Sequence, residues 1–155
     1  MQMRTDKPAT KGRTTLQRLV DLREILRYVP HYRDKVFVIA FDGAVVEHEN
    51  FRNLLLDLTL LRSLRIGVVL IHGASSQIAK LAGQTGKATS NLDGTGVTDA
   101  ITLDLALTAA NRVTHEILEG LSANDLRGAY CNAIVAHPAG ILQGIDQEHT
   151  GRIER

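Results

Sequence analysis

Arg65-Ile66-Gly67-Val68-Val69-Leu70-Ile71, running straight into His72-Gly73-Ala74-Ser75-Ser76-Gln77-Ile78, decides the fold class. The first seven residues are a short apolar run rich in β-branched side chains, the pattern of a strand buried on both faces. The small residues that follow turn the chain into a helical pattern, Gln77-Ile78-Ala79-Lys80-Leu81-Ala82. Strand, tight turn and helix in that order aim backbone N–H groups outward from the helix N-terminus, where an anion can sit. The same grammar occurs earlier, in Val36-Phe37-Val38-Ile39-Ala40-Phe41 followed by Asp42-Gly43-Ala44. Two such units in tandem predict an α/β fold, a three-layer sandwich around a mostly parallel central sheet with its site at the strand C-termini.

Composition bounds the rest. A chain of 155 residues, 44% hydrophobic, suffices for one domain with a real core. No apolar run approaches the ~20 residues that span a bilayer. The N-terminal Met1-Gln2-Met3-Arg4-Thr5-Asp6-Lys7-Pro8 has no apolar stretch after its charges and does not read as a secretory signal. The single cysteine, Cys131, excludes an internal disulfide framework and suits a reducing, cytoplasmic setting. The net charge of +1 hides an asymmetry: residues 1–35 hold nine Lys/Arg against four Asp/Glu, and the remainder is acidic. A basic arm is one way to touch nucleic acid. Here there is no Lys/Arg run, no zinc-ligand spacing and little aromatic content for base stacking, so a solvated arm or an oligomer contact is the expectation. No His/Cys/Asp/Glu pattern points to a metal.

In chain order, residues 1–13 are polar and read as a disordered basic arm. Residues 14–31 read as a helix, opened by Thr14 and Gln17 at capping-box spacing and ended by Pro30. Its apolar residues Leu16, Leu19, Val20, Leu22, Ile25, Leu26 and Val29 occupy more than one stripe, which predicts a partner chain as well as its own domain. Residues 32–155 form the domain proper. After the first strand, His48-Glu49-Asn50 opens a helix to about Leu64, with acids at its start and Arg62 and Arg65 at its end. The helix after the second strand is short, to about Leu81, and residues 83–97 are turn-rich with Lys87 as their only cation. Thr98 is then expected to cap a long helix to about Leu118, closed by Gly120, with Ala106, Ala110, Val113, Ile117 and Leu121 in the core. A third strand, Ala133-Ile134-Val135-Ala136, precedes a hairpin through Pro138-Ala139-Gly140-Ile141-Leu142, and no closing helix follows.

Three stations together resemble the amino-acid kinase fold, in its acetylglutamate kinase branch. They are Ile39-Ala40-Phe41-Asp42-Gly43, Ile71-His72-Gly73-Ala74-Ser75-Ser76-Gln77-Ile78, and Gly94-Thr95-Gly96-Val97-Thr98-Asp99-Ala100. Two further stretches, Phe37-Val38-Ile39-Ala40-Phe41 and Gln147-Glu148-His149-Thr150-Gly151, are similar to the kinase-like domains of the amino-acid N-acetyltransferase (N-acetylglutamate synthase) family. The resemblance covers roughly residues 24–153 and implies the N-terminal part of such a domain.

The departures set the functional expectation. Kinases of the resembled family carry a lysine two residues before a Gly-Gly pair; here Ala40 stands there, and the pair is Asp42-Gly43. A carboxylate beside nucleotide phosphates repels them, the reverse of what phosphoryl transfer needs. The His-Gly-Gly-Gly turn of those kinases is His72-Gly73-Ala74-Ser75 here, which obstructs close backbone approach to phosphate. Gly96 replaces the substrate-gripping arginine of the Arg-Val-Thr-Asp motif, while Thr98 and Asp99 survive. The resemblance therefore implies a regulatory and structural part of an acetyltransferase that joins the acetyl group of acetyl-CoA to glutamate, with no catalytic residue of its own. Acetyl-CoA is expected only where a separate C-terminal acetyltransferase domain exists. The alternatives are an acetylglutamate kinase, and a non-enzymatic module using the basic arm. Candidate residues for an amino-acid ligand of arginine or glutamate type are Gly43, His72, Gly73, Ala74, Thr98, Asp99 and Tyr28. A homo-oligomer built through the N-terminal helix is the expected assembly.

Overall fold

The computed structural model describes residues 15–90, 97–131, 134, 136–142 and 144–153. The arm at 1–13, Thr14, the Gly94-Thr95-Gly96 part of the third station and, from the anticipated third strand, Ala133 and Val135 lie outside the described residues.

The parallel pair expected from the two strand–turn–helix units is present. Strand β1 (Val36–Phe41) runs alongside β2 (Gly67–His72) in parallel, with Val36 opposite Gly67 and Phe41 opposite His72. Alternation sorts the side chains onto two faces. Phe37, Ile39 and Phe41 lie level with Val68, Leu70 and His72, and all six are half-buried. Val36, Val38 and Ala40, with Val69 and Ile71, form the opposite face and are exposed, Val36 and Val38 to 63% each. The sequence pattern calls for burial on both faces; among the described residues only one is covered.

That face is covered by helices α2 (Phe51–Ser63), α3 (Ser75–Thr85) and α4 (Ala100–Ala123). Leu55 and Leu58 of α2, Ile66, Ala82 of α3, and Leu105, Ala109, Val113 and Ile117 of α4 make the buried core. The α4 residues fall at helical spacing, one position off part of the stripe read from sequence, so Ala106, Ala110 and Leu121 are only half-buried. Burying each large aliphatic side chain contributes about 1.5–3 kcal/mol, and the buried leucines, isoleucines and valine lie on or next to these helices.

The N-terminal ends of the two strands are tied together. Asp34 and Arg65 both adopt left-handed backbone, φ 61° and 63°. The Asp34 amide donates to the Arg65 carbonyl at 3.0 Å, and the Arg65 guanidinium reaches the Asp34 carboxylate at 3.2 Å. Arg62, in the last turn of α2, donates to the Ile66 carbonyl at 3.0 Å.

Several boundaries differ from the sequence reading. Helix α1 spans Thr15–Tyr32 and contains Pro30 instead of stopping at it. A proline in the final turn removes one internal hydrogen bond, and the helix ends two residues later anyway. Residues Gly43–Glu47 form a short 3₁₀ turn, so α2 starts at Phe51, without acids in its first turn. Helix α3 runs on through Gly83 to Thr85 and stops where Gly86 takes φ 65°. Helix α4 is capped by Asp99, not Thr98, and passes through Gly120 to Ala123. Gly120 is an inter-helix contact rather than a stop: a Cβ there would lie 2.8 Å from Leu55 Cδ1.

The last described residues form an antiparallel ribbon. Strand β3 (Ala136–Pro138) pairs with β6 (Gly151–Ile153), and β4 (Ile141–Leu142) with β5 (Ile145–Asp146). The hairpin anticipated through residues 138–142 thus reverses just beyond that stretch, after Leu142. Gly140, at φ 73°, only bends the strand, and Gly144, at φ 79°, sits in the reversal.

Helix α1 buries none of its residues. Its end meets the sheet through an edge-to-face contact of Tyr32 on Phe37, centroids 5.5 Å apart.

Candidate functional site

Parallel sheets place their ligands beyond the strand C-termini. There Ala40, Phe41, Asp42, Ile71, His72 and Gly73 line an open concavity of about 560 Å³. Four residues at and beside it, Asp42, Gly43, Gln77 and His72, set its geometry.

Asp42 leaves β1 in extended conformation and caps the 3₁₀ turn, its Oδ1 accepting from the Ala44 N–H at 2.8 Å. A short acceptor side chain satisfies an amide two residues on in this way. The consequence is a carboxylate fixed at the mouth of the concavity.

Gly43, buried, faces the second strand end across a backbone-to-backbone contact. A Cβ at Gly43 would overlap the Gly73 carbonyl oxygen and lie 2.7 Å from Gln77 Oε1. The Gly73 N–H donates to the Phe41 carbonyl at 3.1 Å. The two turns are therefore closed on each other.

Gln77, in the first turn of α3, pins that closure. Its Nε2 donates to the Gly43 carbonyl at 2.9 Å, and the Lys80 ammonium donates to Glu47 Oε2 at 2.7 Å one helical turn later. Sequence reasoning passes over Gln77, Glu47 and Lys80. Nothing local distinguishes them from an ordinary solvated helix face.

His72 ends β2 with both ring nitrogens engaged. Nδ1 lies 3.2 Å from the Gly73 carbonyl and Nε2 2.9 Å from Thr114 Oγ1. Both ring nitrogens are thereby taken up by neighbours within the fold. That leaves no free nitrogen to act as a base. The Thr114 hydroxyl donates to the Ala110 carbonyl at 2.9 Å, so its oxygen presents a lone pair to Nε2. Thr114 stands among Asn111, Arg112, His115 and Glu116, so nothing in the sequence singles it out.

Ala74 precedes α3 and offers no side-chain cap. Thr98 and Asp99 stand at the start of α4, apart from the concavity-lining residues, and Tyr28 is exposed on α1. The structure thus brings Gly43, His72 and Gly73 together and leaves Thr98, Asp99 and Tyr28 elsewhere. Asp99 Oδ1 accepts from the Thr102 N–H at 2.7 Å. Ser90 ties the same junction from the other side, its Oγ 3.1 Å from Thr102 Oγ1 and accepting from the Asp99 N–H at 3.0 Å. Hydrogen bonds from Thr102, then from Ser90, and the nearby charge of His149 hold the Asp99 carboxyl below its ordinary value. Lys87 lies 3.8 Å from Asp104. Among the described residues no group of His, Cys, Asp and Glu is arranged to hold a metal ion.

Comparison with known proteins gives this arrangement its setting. Residues 35–155 match the amino acid kinase family. The chain is 36% identical over 143 residues to the amino-acid acetyltransferase of Pseudomonas putida strain GB-1, covering 86% of this chain and 33% of that protein. The amino-acid acetyltransferase of Pseudomonas aeruginosa strain LESB58 is also 36% identical over 143 residues, with the same coverage of each chain. The solved structure of N-acetylglutamate synthase from Neisseria gonorrhoeae, complexed with coenzyme A and N-acetyl-glutamate, superposes with a TM-score of 0.74 at 30% identity, over 88% of this chain and 32% of that one. The chain spans about a third of the length of the curated relatives it matches.

Proposed function

The chain belongs to the amino acid kinase family, and from that premise we propose that it is the kinase-like regulatory and structural part of an amino-acid acetyltransferase. The whole enzyme would join the acetyl group of acetyl-CoA to the glutamate amine, opening arginine biosynthesis in the cytoplasm. The observation that carries this reading is the turn at Asp42-Gly43 closed against Gly73, with Ala40 two residues before Asp42. It supports a domain that keeps the kinase fold without its phosphoryl chemistry, which fits the likeness to acetyltransferases better than an acetylglutamate kinase.

On this reading the residues at the strand ends hold the two turns together and do not act on substrate. Asp42 opposes a polyphosphate electrostatically, and Ala40 has no charge to offer a transferring phosphoryl group. Removing one such stabilising contact typically lowers rate about a hundredfold or more. Acetyl-CoA would belong to a separate acetyltransferase domain of the whole enzyme. A small amino acid of arginine type is the ligand to test first, and helix α1 is the element that joins copies of the chain. No helix among the described residues is long and apolar enough to cross a membrane.

The test uses the purified chain with magnesium, ATP and N-acetylglutamate. The expected result is no ADP above background and no heat of ATP binding. Steady ADP formation that depends on N-acetylglutamate would return the chain to the kinases.

A further inference from the structure

We draw no further inference here: the strongest candidate, the apolar sheet face formed by Val36, Val38, Ala40, Val69 and Ile71 beside the strand ends, is left open by the described residues and nothing in the structure shows what covers it.

Discussion

Gly43 and Gly83 are the same residue in opposite surroundings. At Gly43 an added methyl meets the Gly73 carbonyl, main chain that cannot swing aside. Gly43→Ala should therefore cost at least about 2 kcal/mol through overpacking and forced backbone shifts, read as a lower urea midpoint. Gly83 lies inside α3, and a methyl added there would have nothing within 4 Å, so Gly83→Ala should stabilise by up to about 1 kcal/mol. Equal responses at the two positions would show that the strand-end turns are not closed on each other. Asp99 gives a second expectation. Its carboxyl is held below the ordinary value of 3.8 in the folded state, so the stability it confers is present above that pH and is lost as pH falls through the folded value. Asp99→Asn should lower the melting temperature at pH 7, and the gap from the parent should narrow below about pH 3.8. A gap that stays constant with pH would exclude the charge from the cap. Sequence alone puts the cap one residue early, at Thr98, because threonine and aspartate both have the right chemistry. Only the start of the helix at Ala100 decides between them.

At the scale of elements, the strands are legible in sequence because their apolar runs are short, β-branched and bounded by turn residues. The helices are legible in existence and blurred at their ends. Gly86 and Gly120 show why: one ends a helix at positive φ, and the other lets α4 approach α2 from within a helix. Composition alone does not separate the two roles. Helix α1 carries the clearest prediction at this scale. Leu19, Leu22, Leu26 and Val29 follow a three-four-three spacing, that of the seam residues in a coiled coil, and Leu19, Leu22 and Leu26 are each at least 45% exposed. Leu22→Arg with Leu26→Arg should raise the dissociation constant by about a thousandfold or more, given about 1.5–3 kcal/mol for each buried leucine. Sedimentation should show a smaller species with unchanged helical circular dichroism. A parent chain that sediments as a monomer at tens of micromolar would refute assembly through α1.

For the molecule as a whole, the α/β class and the family are readable from three short stations in fixed order. The state of the site is only half readable. Ala40 and Asp42, on which the proposed loss of phosphoryl chemistry rests, stand in the sequence itself, whereas the pinning of Gly43 by Gln77 and the double engagement of His72 depend on residues 34 and 42 positions away. Such long-range hydrogen bonds leave no periodic trace in a single sequence. The central claim is that this fold serves an acetyltransferase and not a kinase. The most direct measurement replaces the equivalent third of the Pseudomonas putida amino-acid acetyltransferase with residues 15–153 of this chain, and assays the purified chimera for both reactions. The claim predicts acetyl-CoA-dependent acetylation of glutamate, with no ADP formed from ATP and N-acetylglutamate. A folded chimera that forms ADP and fails to acetylate glutamate would contradict it.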